Sequence, residues 1–275
     1  LAAAMHPPSK PTSGRWQDGL KAALQPLDPT ALVVHVPSID STNTELMRRA
    51  REGDTRTCLL WADAQTAGRG RLGRQWHTQA GDALTFSLGL MFAPQSWSGL
   101  SLAVGCCLVQ CLDPTGEHGL GLKWPNDLVL GRAQSMRKLG GILIETVVRS
   151  GEPEPGRYAV MGIGLNLSAP SHTDMRLPPA GLRESLGPDW QAEAVLSTLL
   201  PSLVQGLQRF TRQGFEAFAP AFAQRDALFG AELRLSNGQE GLGAGVDAQG
   251  VLRLDTPEGL RSVHSDEVSV RGANA

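Results

Sequence analysis

The sequence of 275 residues has little net charge, few aromatic side chains and no long apolar run. Its formal net charge is −2, and only 5% of its residues are aromatic, with a single tyrosine. Generic nucleic-acid-binding surfaces carry an excess of basic residues, so the near-neutral balance argues against this class. The longest apolar stretch, residues 100–112, is broken by Gly105 and Gln110. It is shorter than the roughly 20 residues of a membrane span, so we expect no membrane partner.

Cysteine is also scarce, and the four cysteines are Cys58, Cys106, Cys107 and Cys111. None has the spacing of a zinc ligand, and three lie in one apolar segment, which favours small core side chains. The first residues lack the pattern of a secretory signal peptide. We therefore expect a reduced, cytoplasmic protein.

The sequence does contain a dense cluster of glycine and arginine at residues 68–76, Gly-Arg-Gly-Arg-Leu-Gly-Arg-Gln-Trp. Glycines let the backbone approach a ligand closely, and successive backbone N–H groups in such a turn attract anions. Arginines add charge in a fork that matches phosphate or carboxylate oxygens, and Trp76 offers a flat apolar face. The segment is predicted to be a loop that wraps an anionic ligand carrying a ring.

Two alternatives apply to this loop. Gly68, Gly70 and Gly73 match the spacing of the dinucleotide fingerprint of nicotinamide oxidoreductases, but that fingerprint requires a buried helix directly after the glycines. Residues 74–82 are polar and show no helical pattern, which disfavours a dinucleotide site. A solvated, disordered basic loop is the other alternative, and the strands predicted on both sides make it less favoured.

Apolar periodicity divides the chain into three parts. Residues 1–27 are predicted to be a flexible segment with a short helix at 16–24. Residues 28–227 show strand patterns at 32–36, 58–62, 83–91, 120–124, 139–148 and 157–167, a charged hairpin turn at 149–156, and a loop at 168–187. Helix patterns in this part cover 42–52, 97–112 and 191–227, the last interrupted near Pro220. Residues 228–275 show short strands separated by turns, which predict a small SH3-like β-barrel.

Further polar clusters lie beside these apolar strands. Residues 40–43, Asp-Ser-Thr-Asn, precede a predicted helix, and Thr42 with Glu45 is typical of a capping box. Residues 123–127, Lys-Trp-Pro-Asn-Asp, follow a short strand, and Lys138 precedes a glycine pair. Each cluster alone has a structural explanation as a helix cap, a turn with an ion pair or a solvated lysine. Their conjunction favours one polar site.

In this order the motifs resemble those of the biotin protein ligases: Ser-Thr-Asn at a helix start, a glutamine before Gly-Arg-Gly-Arg, Lys-Trp-Pro-Asn-Asp, Lys-Leu-x-Gly-Ile-Leu, and a glycine-rich strand ending in Asn166. The resemblance covers residues 32–271. It implies an α+β fold, with a mixed sheet, flanking helices and a C-terminal SH3-like barrel. It also implies an ATP-dependent ligase that forms biotinyl-5′-AMP, with Mg²⁺ on the triphosphate. Biotin then passes to a lysine of a biotin carboxyl carrier protein domain of a carboxylase.

The resemblance also implies roles for individual residues. Catalytic roles fall to Lys138, Arg71 and Asp127. The expected biotin contacts are Ser41, Thr42, Asn43, Gln65, Gly68, Arg69, Gly70, Arg71, Trp76, Lys138 and Gly141. The expected ATP and adenylate contacts are Arg69, Arg71, Trp76, Asn126, Lys138, Asn166 and Arg271. Asn126 and Asp127 are the expected Mg²⁺ ligands.

Other functions remain open at this stage. Lipoate ligases and octanoyl transferases share the core fold but lack the combination of Gly-Arg-Gly-Arg with Lys-Trp-Pro-Asn-Asp. A regulator that binds biotinyl-5′-AMP without catalysis is disfavoured by the presence of Lys138 and Asp127. Few residues precede the first predicted strand, so we expect no N-terminal DNA-binding domain and no sequence-specific DNA binding. A homodimer is consistent with the resemblance. Residues 131–136 lengthen the segment between Asp127 and Lys138 relative to many members of the family.

Overall fold

The computed structural model describes residues 15–148, 156–171, 177–264 and 268–270, and its larger sheet is mixed. The strands of this sheet are β1 (Leu32–Ile39), β2 (Cys58–Gln65), β3 (Ala83–Phe92), β4 (Leu120–Lys123), β5 (Asp127–Leu130), β6 (Arg137–Val147) and β7 (Arg157–Asn166). They lie in the order β1-β2-β3-β7-β6-β5-β4. Strands β1 and β2 are parallel and the other neighbours are antiparallel. The predicted α+β fold with a mixed sheet is confirmed.

Helices cover both faces of this sheet. They are α1 (Arg15–Leu24), α2 (Thr42–Arg51), α3 (Leu100–Leu112), α4 (Leu182–Leu186), α5 (Ala192–Gln213) and α6 (Ala219–Arg225). Leu59 and Trp61 of β2 pack into the main core with α3 and α5, whereas Cys58 and Leu60 pack against α2. Because successive strand residues point to opposite faces, this division places α2 on the second face. Among the described helices, none is long and apolar enough to cross a membrane.

Strand β3 differs from the half-buried strand that its alternating pattern predicts. Leu84, Phe86 and Leu88 enter the main core, while Thr85 and Ser87 are equally buried on the opposite face. A pair of buried hydroxyl groups in the centre of a sheet needs hydrogen-bond partners. Their location indicates that polar groups gather on the α2 face.

The start of α2 also differs from the predicted capping box. Ser41 is the N-cap, and its hydroxyl accepts a hydrogen bond from the N–H of Thr44 at 3.3 Å. Glu45 pairs instead with Arg48 and Arg49 on the helix surface. The side chain of Thr42 is therefore free of a capping role.

The predicted helical stretch 191–227 is divided at a different place. Helix α5 ends at Gly214, which has a φ of +63° that favours glycine, and a 3₁₀ turn at Phe215–Phe218 follows. Pro220 lies in the first turn of α6, where proline is well tolerated. The short helix α4 lies within the segment predicted as a loop.

The smaller sheet is antiparallel and lies in the order β11-β10-β9-β8-β12. Its strands are β8 (Glu232–Leu235), β9 (Glu240–Val246), β10 (Leu252–Thr256), β11 (Gly259–Val263) and β12 (Val268–Val270). The predicted C-terminal β structure is thus present. No pairing between β11 and β12 occurs among the described residues, and closure into an SH3-like barrel stays a prediction.

The proposed three-part division of the chain stays a prediction as well. Leu20 and Leu24 of α1 are buried in the main core, so this part of segment 1–27 is packed rather than flexible. Leu233 and Leu252 of the smaller sheet belong to the same apolar cluster. Residues 1–14 and most of the expected hairpin turn, residues 149–155, lie outside the described residues.

The cysteines occupy the expected places in the core. Cys58, Cys106 and Cys107 are buried free thiols, and Cys111 is partly buried. Burial raises the pKa of Cys58 to about 11 and that of Cys107 to about 12. The interpretation of these residues as small core side chains is confirmed.

Candidate active site

A cavity of about 770 Å³ lies between the α2 face of the larger sheet and residues 69–77. Strands β3, β6 and β7 form its floor, and β8 and β12 of the smaller sheet contribute Arg234 and residues 268–270. The predicted site residues that line it are Ser41, Thr42, Asn43, Gln65, Arg69, Gly70, Arg71, Trp76, Asn126, Asp127, Lys138 and Gly141. Residues distant in sequence are therefore brought together as predicted.

One end of the cavity is a network of neutral polar groups. The side-chain oxygen of Gln65 accepts from the N–H of Thr42 at 2.8 Å and lies 3.1 Å from its hydroxyl. The buried hydroxyl of Ser87 lies 2.7 Å from the hydroxyl of Thr42 and 2.6 Å from Oδ1 of Asn43. A hydroxyl has one proton, so Ser87 donates to one of these oxygens at a time. The network fixes the first turn of α2 on the sheet and leaves a polar surface without formal charge.

Asn43 lies at the centre of this network. Its amide N–H groups donate to the carbonyl of Leu143 at 3.2 Å and to Oε2 of Glu145 at 3.0 Å. Its Oδ1 lies against Gly162 of β7, where a Cβ atom would come within 2.2 Å. Gly162 therefore makes room for the Asn43 side chain, and both donors of Asn43 are used within the protein.

Replacing Gly162 by alanine is expected to displace Asn43 and to lower the free energy of unfolding by about 1 kcal/mol or more, because overpacking of a close contact forces side chains and backbone to shift. Urea unfolding measures the change. Gly19→Ala is the matched control, since a Cβ there meets nothing within 4 Å in helix α1. That variant should gain stability, because alanine favours a helix more than glycine does. Equal effects of the two changes would contradict the role of Gly162.

The loop at residues 68–76 is folded back on itself. The N–H of Trp76 donates to the carbonyl of Gly68 at 2.8 Å, and the N–H of Gly70 donates to that of Arg74 at 2.7 Å. At its tip, Leu72 has a φ of +56° and is 74% exposed. This positive φ is unusual for a residue other than glycine. The unfavourable backbone conformation lies at the point where the loop turns over the cavity.

Two glycines fit the loop to the sheet. A Cβ atom at Gly68 would lie 2.3 Å from the carbonyl oxygen of Trp76, and one at Gly164 would lie 2.5 Å from the Trp76 indole. The indole thus rests on the bare backbone of β7 and forms an apolar wall of the cavity. Gly68 shapes the loop without lining the cavity.

Lys138 and Asp127 form the charged part of the site. The Lys138 ammonium lies 2.6 Å from Oδ1 of Asp127, and both side chains are mostly buried. The Lys138 backbone is held by the carbonyl of Pro178 at 2.7 Å and the N–H of Ala180 at 2.8 Å. Gly141 lies beside both charged groups and keeps the space above them open. The backbone of Lys138 is fixed, whereas its flexible side chain lets the ammonium group move toward an anion as negative charge develops.

Asn126 links the loop to the sheet. Its Oδ1 accepts from Nη1 of Arg71 at 3.3 Å, and its Nδ2 donates to the carbonyl of Ile142 at 2.8 Å. Arg71 therefore reaches from the loop to the charged part of the site.

Asn166 has a different position. Its amide donates to the Lys138 carbonyl at 3.3 Å, and Asn166 does not line the cavity. Its expected adenine contact stays a prediction, and Arg271 lies outside the described residues.

The expected Mg²⁺ site has a limited donor set. Within the described ranges, no group of three or more His, Cys, Asp or Glu side chains could hold a metal ion. Mg²⁺ that arrives on a triphosphate needs only one or two carboxylates from the protein. Asp127 offers one carboxylate beside the amide oxygen of Asn126, and both groups already face cationic side chains. A carboxylate and an amide oxygen suit a metal ion held mainly by phosphate oxygens, and the assignment of Asn126 and Asp127 as its protein ligands stays a prediction.

Sequence reasoning missed Ser87, Glu145 and Arg234. The sequence does contain an indication of Ser87, because Thr85 and Ser87 are the polar residues of an otherwise apolar strand. Glu145 lies within β6, and its Oε1 accepts from Nη2 of Arg69 at 3.0 Å. Arg234 enters the cavity from the smaller sheet, and no local pattern indicates this.

Comparison with known proteins agrees with this geometry. A model of the biotin/lipoate A/B protein ligase family matches residues 35–166. The biotin–[acetyl-CoA-carboxylase] ligase of Mycobacterium tuberculosis is 35% identical over 235 residues, which cover 80% of this chain and 82% of that relative. The bifunctional ligase/repressor BirA of Escherichia coli is 30% identical over 262 residues, which cover 92% of this chain and 78% of BirA.

Solved structures show the same relation. The biotin protein ligase from Aquifex aeolicus, in complex with biotin and ATP, superposes with a TM-score of 0.71 at 27% identity. The match covers 87% of this chain and 98% of the Aquifex chain. Since the similarity extends over most of each relative, the chain belongs to the biotin protein ligase family.

Proposed function

We propose that the protein uses ATP to activate biotin as biotinyl-5′-AMP and then transfers the biotin to a lysine of a biotin carboxyl carrier protein domain of a carboxylase. One observation carries this proposal. A single cavity joins a neutral polar end, a glycine–arginine loop and the pair of Lys138 and Asp127. Its volume of about 770 Å³ lies within the range of small-molecule sites.

In the first step, a carboxylate oxygen of biotin attacks the α-phosphorus of ATP, and pyrophosphate leaves. The transition state concentrates negative charge on the α-phosphate and on the attacking carboxylate. Lys138 and Arg71 line the same cavity, and we expect their positive charges to stabilise this transition state, because preorganised charges are the main source of catalysis in phosphoryl transfer. Mg²⁺ on the triphosphate would neutralise the leaving group, beside Asn126 and Asp127.

In the second step, the amine of the carrier lysine attacks the acyl carbon of the adenylate, and AMP leaves with the electrons of the broken anhydride bond. The attacking amine must lose a proton. Asp127, already hydrogen-bonded to an ammonium group at 2.6 Å, is placed to orient a second ammonium and to accept that proton.

The neutral end of the cavity suits the ureido ring of biotin, which offers two N–H donors and one carbonyl acceptor. Ser41, Thr42 and Gln65 present hydroxyl and amide groups there. The apolar wall formed by Trp76 suits the remaining chain of biotin and the adenine ring.

Arg71→Gly is expected to let activated biotin escape. The change removes the contact with Asn126 and adds a flexible residue at the loop tip, so the loop holds the adenylate less firmly. Biotin labelling of an unrelated protein in the same solution should rise more than tenfold. Labelling at the wild-type level would contradict the proposed role of the loop.

Mass spectrometry of an apo carrier domain tests the proposed function. We expect one biotin on one lysine, dependent on ATP and Mg²⁺, at catalytic amounts of the protein. A carrier in which that lysine is replaced by arginine is the matched control and should stay unmodified. Adenylate formation without transfer would favour a regulator that holds biotinyl-5′-AMP.

A second candidate arises because the matching family model also includes lipoate ligases. The polar network at Thr42, Asn43 and Gln65 favours biotin, since a lipoyl or octanoyl chain has no polar group to meet it. Competition among biotin, lipoate and octanoate for the same protein distinguishes the two substrates.

The finer expectations on partners are also part of this proposal. The near-neutral charge of the sequence favours the absence of sequence-specific DNA binding. A salt-sensitive complex with operator DNA in a mobility-shift assay would contradict it. The four free thiols are consistent with a reducing cytoplasm. We also propose a homodimer, which sedimentation would test.

A further inference from the structure

Glu145 connects two parts of the site that belong to different elements. It lies near the end of β6, and its two carboxylate oxygens have different partners. Oε2 accepts from the amide of Asn43 at the start of α2, at 3.0 Å. Oε1 accepts from the guanidinium of Arg69 in the loop, also at 3.0 Å. The carboxylate therefore bridges the neutral end of the cavity and the loop that covers it.

The two contacts differ in how firmly they are held. Asn43 is buried, its Oδ1 is fixed by Ser87, and Gly162 leaves no space for it to move toward β7. The side chain of Glu145 is 20% exposed, whereas that of Arg69 is 49% exposed. Hence the buried network fixes Glu145, and Glu145 in turn holds the more exposed side chain of Arg69.

This arrangement changes how strongly the ion pair between Glu145 and Arg69 is expected to stabilise the position of the loop. An exposed pair of this kind usually contributes little to stability, because both side chains must be ordered. Here one partner is already ordered by Asn43, so only Arg69 loses freedom. The loop is thereby held toward the sheet.

We propose that Glu145 is a positioning residue that couples the biotin end of the cavity to closure of the loop, through Asn43 on one side and Arg69 on the other. The proposal rests on the proposed function for its ligand, biotin, whereas the contacts of Glu145 with Asn43 and Arg69 are read from the structure. Because Asn43 is fixed, Glu145 holds Arg69, and with it the loop, at the biotin end of the cavity.

Glu145→Gln is the informative change. Glutamine keeps the shape but has one oxygen, while Asn43 and Arg69 are both donors, so only one of the two contacts can form. Loop opening is read without ligand from the initial rate of trypsin cleavage after Arg71 and Arg74. We expect at least a fivefold increase in Glu145→Gln. Glu52→Gln is the matched control, because Glu52 pairs with Arg48 on the exposed face of α2, and its cleavage rate should equal that of the wild type.

The coupling is tested in a second background. Arg69→Met alone should raise cleavage after Arg71 and Arg74 to the same extent, and adding Glu145→Gln should raise it no further. Additive effects, or a wild-type rate in Glu145→Gln, would overturn the proposal. If Glu145→Gln does not fold, as judged by its circular dichroism, a wild-type rate in Arg69→Met alone overturns it.

A further measurement connects the inference to biotin. In Glu145→Gln, bound biotinyl-5′-AMP should dissociate at least fivefold faster than from the wild type. Equal dissociation rates would contradict the coupling. Failure of the wild type to form biotinyl-5′-AMP would instead contradict the proposed function, and the cleavage result would stand by itself.

Discussion

Replacing Lys138 by alanine is expected to lower the rate of biotinyl-5′-AMP formation at least 100-fold, which corresponds to about 2.7 kcal/mol of transition-state stabilisation. The reason is the geometry of the charged part of the site. Lys138 faces the cavity with its backbone fixed at both its N–H and its carbonyl, and its ammonium lies 2.6 Å from Asp127. Removal of this cation takes one positive charge away from the developing charge on the α-phosphate, and leaves Asp127 without the ammonium that pairs with it.

Biotin-dependent release of pyrophosphate measures this change, with the rate taken at saturating biotin and ATP. Lys21→Ala is the matched control, since Lys21 is exposed on α1, and it should retain wild-type release. An effect smaller than tenfold in Lys138→Ala would contradict the assignment of Lys138 to the chemical step.

The second large effect concerns stability and pH. Asp226 follows α6 at the base of the smaller sheet and is 2% exposed. Its Oδ1 accepts from the N–H of Leu228 at 2.9 Å, while its Oδ2 is buried without a hydrogen bond among the described residues. Burial raises the pKa of Asp226 to about 6, against the opposing effects of that hydrogen bond and the charge of Arg132.

The raised pKa fixes the sign of the pH dependence. Below the unfolded-state value of 3.8, the carboxyl is protonated in both states and its burial has no charge penalty. As the pH rises through the folded-state pKa of about 6, the buried group becomes charged and stability is lost. The full difference is about 3 kcal/mol, from 1.36 kcal/mol for each pKa unit.

Urea unfolding of the wild type and Asp226→Asn between pH 4 and pH 8 tests this expectation. The free energy of unfolding of the wild type, minus that of the variant, should fall by about 2 to 3 kcal/mol over this range, because the asparagine does not titrate. The matched control is Asp54→Asn. Hydrogen bonding with Arg56 lowers the pKa of Asp54 to about 2, so its difference should stay nearly constant between pH 5 and pH 8. A constant difference for Asp226→Asn would contradict a raised pKa.

The local part of the site could be predicted from the sequence. Thr42 and Asn43 are recognisable because they begin a predicted helix. Gln65 is recognisable because it is a polar residue at the end of an apolar strand. The loop at residues 68–76 is recognisable because its glycines and arginines are consecutive. Turn residues likewise predicted the strands of the smaller sheet, as at Asn237-Gly238, where Gly238 has a φ of +87°.

The rest depends on contacts between distant residues. Ser87 and Asn43 are 44 residues apart, and Asn43 and Glu145 are 102 residues apart, so no local pattern contains these hydrogen bonds. The place of Asn166 is another example, since its amide meets the Lys138 backbone only once β6 and β7 have paired. The break at Gly214 was assigned to Pro220, because a proline is a stronger signal in a sequence than a glycine near a helix end.

Biotin-dependent exchange of labelled pyrophosphate into ATP tests the central claim most directly, because it measures activation of biotin without a carrier protein. We predict exchange that requires biotin and Mg²⁺ together, is not supported by lipoate or octanoate, and is lost in Lys138→Ala. Exchange that proceeds with lipoate or octanoate but not with biotin would contradict the account.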